Sequence, residues 1–187
     1  MKHALLALLA LAAASAAEAQ SGSAYYGLSI GEFDYDEGED LFADSVSSYR
    51  LMISYLFNDH LAVEGGYAET STLRDVQTFF HPQLGPLDVG FESDFKILTI
   101  RLLGVLPFDN GISLLGGFGY ADTKQDVTYR ATGLPDQSID YEENAPAYYV
   151  AAQYDWDRAA VRLGYEKYDF DGGLDVVETS ITFFYKL

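Results

Sequence analysis

Apolar residues recur at every second position along most of the chain after residue 20. In the stretch SYRLMISYLF at 48–57, they are Tyr49, Leu51, Ile53, Tyr55 and Phe57. Successive side chains of a β-strand point to opposite faces, so this period of two places all five on one face. No stretch after residue 20 carries a persuasive helical period. The pattern therefore predicts an all-β protein.

The alternation divides into eight predicted strands separated by turns and loops. The strands are 24–35, 46–57, 61–71, 91–106, 111–130, 145–156, 159–170 and 176–187. Three connections are short and rich in turn-forming residues: NDH at 58–60, PFDNG at 107–111 and DWDR at 155–158. The other four, 36–45, 72–90, 126–144 and 171–175, are longer or more polar. This asymmetry favours an antiparallel up-and-down barrel with short turns at one end and longer loops at the other.

The first strand has one irregular position. Its alternation is clear from Tyr26 to Ile30 but loses its phase at Gly31, Glu32 and Phe33. A β-bulge places one extra residue in a strand and shifts the alternation beyond it. We therefore predict a bulge at Gly31.

Opposite the apolar row, each strand carries small residues and a few full charges. Three of these charges are basic and three are acidic: Arg50, Arg101, Arg162, Glu64, Glu166 and Glu178. The chain as a whole has a net charge of −18, so the outer surface of a soluble protein would be far more acidic than this balanced set. An arginine at the lipid midplane would also cost ~2–4 kcal/mol. We predict that the balanced set fills a narrow lumen and the apolar row faces lipid, with a lipocalin-type soluble barrel as the alternative.

Four segments resemble strands of small outer-membrane β-barrel proteins, most closely the transmembrane domain of the OmpA-like group. They are LAVEGGY at 61–67, ISLLGGFGY at 112–120, AAVRLGYEKYDF at 159–170 and SITFFYKL at 180–187. The resemblance implies an eight-stranded antiparallel up-and-down transmembrane β-barrel at residues 20–187, in the outer membrane of a Gram-negative cell envelope. It implies contact with outer-membrane lipid and lipopolysaccharide, and handling by periplasmic chaperones and the barrel-assembly machinery. The last strand resembles the C-terminal assembly signal of such barrels, with Phe183, Tyr185 and Leu187 on its lipid-facing row.

The N-terminal segment MKHALLALLALAAASAAEAQ has the features of a secretory signal. Lys2 precedes an apolar run from Ala4 to about Ala14, and Ala17-Glu18-Ala19 matches the small-x-small cleavage pattern. The apolar run is short for a membrane-spanning helix. We predict a cleaved signal peptide at 1–19, with an uncleaved anchor as the alternative.

The six lumenal charges allow two interpretations. Buried ions must pair, since an unpaired one leaves an uncompensated charge, so the set is expected to form a salt-bridge network that plugs the lumen. The function expected from a plugged barrel with acidic external loops is a structural or surface-interaction role. Alternatively, the network rearranges as a gate, and the protein is a small ion-conducting channel or porin.

Three lysines near the loop side are predicted to contact lipopolysaccharide. Lys96, Lys124 and Lys167 have the outward parity, and lysines there can lie along lipid and place their ammonium groups at the level of lipopolysaccharide phosphates. Snorkelling without specific binding is the alternative.

The first loop carries seven carboxylates from Glu32 to Asp44, and we expect a solvated acidic loop, with weak divalent-cation binding as the alternative. The loops at 72–90 and 126–144 either bind a partner or only cap the barrel.

Several function classes have little support. Strong negative charge disfavours nucleic acid, which needs clustered Lys and Arg. The chain has no cysteine, and only His60 and His81 follow the predicted signal, without an evident serine partner for nucleophilic catalysis. We expect no enzyme activity, no cofactor and no metal site, and a monomeric barrel.

Overall fold

The computed structural model describes residues 22–36, 45–81, 85–131, 135–170 and 175–187. These residues form nine β-strands and one 3-10 turn at Asp109–Gly111. The strands are β1 (Ser23–Asp36), β2 (Ser45–Asn58), β3 (Leu61–Thr70), β4 (Leu73–His81), β5 (Gly85–Pro107), β6 (Ile112–Ala131), β7 (Gln137–Trp156), β8 (Ala159–Asp169) and β9 (Asp175–Lys186). No helix in these ranges is long and apolar enough to cross a membrane. The predicted signal peptide at 1–19 and most of the acidic first loop lie outside the described residues.

Eight of the nine strands close into a barrel. Neighbours pair antiparallel in the order β3-β2-β1-β9-β8-β7-β6-β5-β4, and an additional pairing of β3 with β5 closes the ring. β4 lies outside this ring, because it pairs with β5 beyond the end of β3. The predicted eight-stranded antiparallel up-and-down barrel is confirmed. Since every strand of the ring has two neighbours, the ring itself has no free edge.

The predicted division of faces is also seen. Large apolar side chains such as Leu28, Leu51, Leu163 and Phe183 are exposed on the outside, where a transmembrane barrel meets lipid. Tyrosines, phenylalanines and the tryptophan lie outward near the two ends of the eight-stranded ring: Tyr49, Tyr120, Tyr148, Phe57, Phe108, Trp156 and Tyr185. Aromatic side chains at both ends of the apolar band are typical of the two membrane interfaces.

The predicted bulge at Gly31 is wrong. The pairing of β1 with both β2 and β9 runs through Gly31 without a shift, and Phe33 is fully buried in the lumen. A side chain at Gly31 would place its Cβ 2.7 Å from Glu178 Oε1 and 2.7 Å from Ser48 Oγ. Glycine therefore occupies this position because the lumen has no room for a Cβ, and the alternation continues through it.

Two of the predicted loops are largely strand. β4 occupies much of 72–90 and β7 begins at Gln137 rather than at 145, while β6 ends at Ala131, one residue beyond the predicted strand. We call β4 together with residues 85–95, 124–131 and 137–146 the extension, since these segments continue the sheet past the ends of β3 and β8. The extension rises on the side of the longer loops, and the three short turns lie at the opposite end.

Candidate functional site

Strand register brings the six lumenal charges towards one another. Glu64 on β3 lies directly opposite Arg101 on β5, and Glu166 on β8 lies directly opposite Glu178 on β9. Two carboxylates facing each other across a strand pair repel unless a cation lies between them. Arg50 of β2 reaches across the lumen to both of these glutamates.

The loop-side half of the network is centred on Arg50. Its Nη1 lies 2.6 Å from Glu166 Oε2, and its Nη2 contacts Glu178 Oε2 and the Tyr168 hydroxyl. That hydroxyl donates to Glu166 Oε2 at 2.8 Å, and Ser48 Oγ donates to Glu178 Oε1 at 2.8 Å. Both glutamates therefore share one guanidinium and each receives a hydroxyl.

The turn-side half continues from Glu166. Arg101 Nη1 lies 2.8 Å from Glu166 Oε1 as an ion pair without hydrogen-bond alignment, and Arg101 Nε donates to Glu64 Oε1 at 2.6 Å. Arg162 Nη1 then contacts Glu64 Oε2 at 2.5 Å. The result is one chain of alternating charge that descends the lumen from the loop side: Glu178, Arg50, Glu166, Arg101, Glu64 and Arg162. We call it the charge chain.

Burial makes the charge chain a single energetic unit. All six side chains are at most 4% exposed, and the three positive and three negative charges cancel. Removing one partner of a buried pair strongly destabilises a protein, because the remaining ion stays buried without compensation. Each member of the charge chain therefore depends on its neighbours.

Aromatic rings enclose the charge chain. The Arg101 guanidinium carbon lies 3.7 Å from the Tyr149 ring centroid, and that of Arg162 lies 4.3 Å from the Phe184 centroid. Both distances are in the range of cation–π attraction. The Tyr149 ring leaves no space for a side chain at the buried Gly164, where a Cβ would lie 2.5 Å from Tyr149 Oη. The turn-side half of the lumen is thus packed as well as neutralised.

A second set of rings closes the loop-side end of the lumen. Phe33 stacks on Tyr168 with centroids 5.9 Å apart, and Tyr168 stacks on Phe170 at 6.2 Å. We call these three residues the aromatic layer. Buried aliphatic residues surround it: Val46, Ala68, Ile97, Ala121, Ala145, Ala147 and Val176. An apolar seal therefore lies between the charge chain and the loops.

The turn-side end is open to a small cavity. It has a volume of about 260 Å³ and is lined by Tyr25, His60, Gln153, Asp155 and Arg162, among others. Arg162 Nε donates to Gln153 Oε1 at 2.8 Å, and Gln153 Nε2 donates to Asp155 at 2.9 Å. The two ends of the lumen differ, because polar groups reach the charge chain at the turn side and apolar rings cover it at the loop side.

The predicted lysines lie on the outer face near the rim. Lys96 and Lys124 are directly opposite each other on β5 and β6, and Asp126 lies 3.1 Å and 3.4 Å from their ammonium groups. The hydrogen bond from Lys96 holds the pKa of Asp126 below its usual value, and the hydrogen bond to Asp140 raises the pKa of Lys124. Both shifts keep these groups charged at neutral pH. Lys167 has the same outward parity on β8.

The terminal strand shows its predicted row to the outside. Phe183, Tyr185 and Leu187 are 58%, 52% and 68% exposed. Phe184 between them points inward and meets Tyr25 edge-to-face at 6.3 Å. The outer row of β9 is therefore accessible, while the inner row packs the turn-side half of the lumen.

The structure gives no support for chemistry at His60. The His60 ring contacts the Val105 carbonyl oxygen at 3.3 Å in an exposed turn. No cluster of His, Cys, Asp and Glu suited to a metal occurs in the described ranges. Most of the carboxylate loop from Glu32 to Asp44, which carried the prediction about divalent cations, lies outside them.

Sequence reasoning missed the roles of three lumenal residues. Tyr168 has the same parity as Glu166, two positions earlier, so the alternation could have placed it in the network. The alternation did place Gln153 in the lumen, but it did not predict the hydrogen bond from Arg162, which lies opposite it on β8. Phe33 was obscured by the supposed bulge at Gly31, and with it the aromatic layer.

Comparisons with known proteins agree with this geometry. A family model described as the outer membrane protein beta-barrel domain matches residues 4–186. No curated protein sequence matches the chain.

Solved structures of bacterial outer-membrane proteins are similar to it. Ail, the attachment invasion locus protein of Yersinia pestis in complex with the heparin analogue sucrose octasulfate, is 18% identical, with a TM-score of 0.63 over 90% of this chain and 100% of that chain. OprG from Pseudomonas aeruginosa is 15% identical, with a TM-score of 0.60 over 90% of this chain and 97% of that chain. Neisserial surface protein A is 12% identical, with a TM-score of 0.59 over 90% and 100%. At these identities the similarity establishes a shared fold.

Proposed function

We propose a function from one premise: the chain belongs to the family of outer membrane proteins with a β-barrel domain. The proposed role is that of a sealed, monomeric barrel that anchors a surface-interaction sheet in the outer membrane. No catalytic step is assigned to it. The short turns of such barrels face the periplasm and the longer loops face outward, so the extension stands at the cell surface.

The observation that carries the proposal is the filled lumen. Two elements block it in series, the neutral charge chain and the aromatic layer, and apolar side chains pack beside the turn-side half of the charge chain. A scaffold that holds a surface sheet needs a rigid barrel and no passage. The interior of an eight-stranded barrel is just wide enough for side chains to fill it, which matches this packing.

A small channel is the second candidate, and one observation favours it. The polar cavity at the turn side brings the periplasmic end of the lumen to Arg162. Conduction would need both the charge chain and the aromatic layer to move, since water reaching Arg162 still meets five further charged residues and then Phe33 and Tyr168. The sealed scaffold requires no such rearrangement.

Surface exposure of the extension is testable because the chain has no cysteine. Ser138→Cys places a single thiol on the exposed face of β7, and Asp109→Cys places one in the β5–β6 turn. A membrane-impermeant maleimide is expected to label Ser138→Cys on intact cells and Asp109→Cys only after the outer membrane is permeabilised. The opposite labelling order would contradict the proposed orientation.

Contact with lipopolysaccharide is a further part of the proposal. Lys96, Lys124 and Lys167 lie on the outward rim, where the membrane itself brings headgroup phosphates to their level. Replacing all three by Gln is expected to lower the lipopolysaccharide that co-purifies with the barrel. Arg158→Gln with Lys186→Gln at the turn side is the control and should leave the amount unchanged. Equal amounts of co-purified lipopolysaccharide from both variants would show that the three lysines snorkel without binding it specifically.

We also propose that the outer row of β9, formed by Phe183, Tyr185 and Leu187, is read by the barrel-assembly machinery and periplasmic chaperones. The support is its exposure on the last strand of the chain, which pairs with β1 and β8 in the ring.

A further inference from the structure

We propose that the free edge of β7, residues 137–146, binds an extended cationic segment of a partner protein as an added β-strand. The proposal deepens the surface-interaction function and rests on it, because the edge must stand outside the cell. Strand addition of this kind takes its affinity from backbone hydrogen bonds and its specificity from alternate side chains.

The edge is defined by where the ladders of β7 begin and end. On one side, β7 pairs with β6 from Gln137, opposite Tyr129, through Pro146, opposite Tyr120. On the other side, pairing with β8 begins only at Ala147, opposite Tyr168. Between 137 and 146 no described strand pairs with the second side of β7. A strand edge in this state presents unpaired N–H and C=O groups as a template for another chain.

Exposure and composition agree with an accessible edge. All six residues at 137–142 are exposed, unlike the alternating pattern further along β7. Pro146 lies where the β8 ladder stops, and proline within a sheet is tolerated on edges because it has no N–H to donate. The segment QSIDYEENAP therefore has the character of an edge strand that stays open.

The side chains along the edge indicate the chemistry of the partner. Ile139 and Tyr141 are 43% and 48% exposed on the face that continues the lumen wall. The opposite face carries Asp140 and Glu142, Glu143 shares the face of Tyr141, and the segment contains no Lys or Arg. Asp140 is held by Lys124, whereas Glu142 and Glu143 make no ion pair within the described ranges. An added strand that alternates apolar residues with Lys or Arg would match both rows.

The same charges disfavour a second copy of the chain as the occupant. Two β7 edges paired with each other would bring Asp140, Glu142 and Glu143 of one copy towards the same residues of the other. Like charges opposite each other across a strand pair are destabilising. The acidic edge thus selects a cationic partner and opposes self-association.

The test uses the whole chain refolded in lipid nanodiscs and a labelled ten-residue peptide of alternating Lys and Val. Binding is followed by fluorescence anisotropy, and hydrogen exchange of the amides at 137–146 is measured with and without the peptide. Neutralising the edge by Asp140→Asn, Glu142→Gln and Glu143→Gln is expected to weaken binding by about tenfold. The amides of the edge should gain protection when the peptide binds, because they acquire acceptors.

Matched controls separate strand addition from general charge attraction. Asp59→Asn, Asp109→Asn and Asp157→Asn remove the same charge at the turn side and should leave binding unchanged. A peptide with Pro at every Val position keeps the charge but cannot pair, and should not bind. The proposal is overturned if both triple variants bind equally, if the Pro peptide binds as well as the Val peptide, or if binding leaves the edge amides unprotected. Peptide binding in nanodiscs together with absent labelling of Ser138→Cys on cells would instead reject the surface function and keep the edge site.

Discussion

At the scale of single residues, Arg50 has the most hydrogen-bond and ion-pair partners of the three lumenal arginines. It joins Glu166, Glu178 and Tyr168, whereas Arg162 ends the charge chain beside the turn-side cavity. We expect Arg50→Ala to lower the free energy of unfolding by roughly 3–5 kcal/mol, as for other broken buried pairs. Arg162→Ala should also destabilise the barrel, but less, because water from the cavity can solvate the exposed Glu64 oxygen. Denaturant unfolding of the refolded chain in detergent measures both.

Arg158→Ala is the matched control for these two variants. Arg158 is exposed in the β7–β8 turn, so its removal should change stability by no more than about 0.5 kcal/mol. An Arg50→Ala barrel that unfolds at the same denaturant concentration as the Arg158→Ala barrel would contradict the structural role of the charge chain.

For the six lumenal charges, the sequence could predict the position in the lumen but not the ion-pair partners. Parity along each strand placed all six charges in the lumen, because a period of two leaves only two faces. It did not pair them, since Arg50 of β2 meets Glu166 of β8 and Glu178 of β9 across the lumen rather than along the sheet. Glu64 with Arg101 is the one pair that strand neighbours alone would have given.

At the scale of elements, β9 is the strand whose outer row we connect with assembly. Replacing Phe183, Tyr185 and Leu187 by Ser is expected to lower the amount of folded barrel in the outer membrane severalfold. The same change at Val161, Leu163 and Tyr165 on β8 removes a similar outward row from the adjacent strand. It should reduce folded protein less, because that strand is not the one proposed to be recognised. Equal losses would contradict a specific role for β9.

Sequence reasoning predicted only part of the extension as strand, and it assigned β4, residues 85–90 and residues 137–144 to loops. Its strands leave the membrane, so they no longer need a lipid-facing apolar row, and the alternation of hydrophobicity weakens there. Cross-strand ion pairs hold it instead: Glu92 of β5 lies 3.3 Å from Arg74 of β4 and 2.8 Å from Arg130 of β6. The prolines at 82, 86, 135 and 146 also favoured the prediction of loops, although Pro86 and Pro146 lie within strands.

At the scale of the whole molecule, the barrel combines a closed ring with an open sheet. The eight-stranded ring was predictable because each lipid-facing strand repeats the same alternation of apolar and polar residues, and the short turns mark where one strand ends and the next begins. The extension, formed by parts of β4 to β7, continues past the ring and has an edge on β7 that no described strand pairs. In the proposed function, the ring is the rigid anchor and the extension is the surface available to a partner.

Single-channel recording of the refolded wild-type chain in planar lipid bilayers determines whether the lumen is sealed. The charge chain and the aromatic layer lie in series, so the predicted result is a persistent absence of discrete openings at voltages where protein-free lipid is also silent. Reproducible discrete openings of the wild-type barrel would contradict the sealed scaffold and favour the channel.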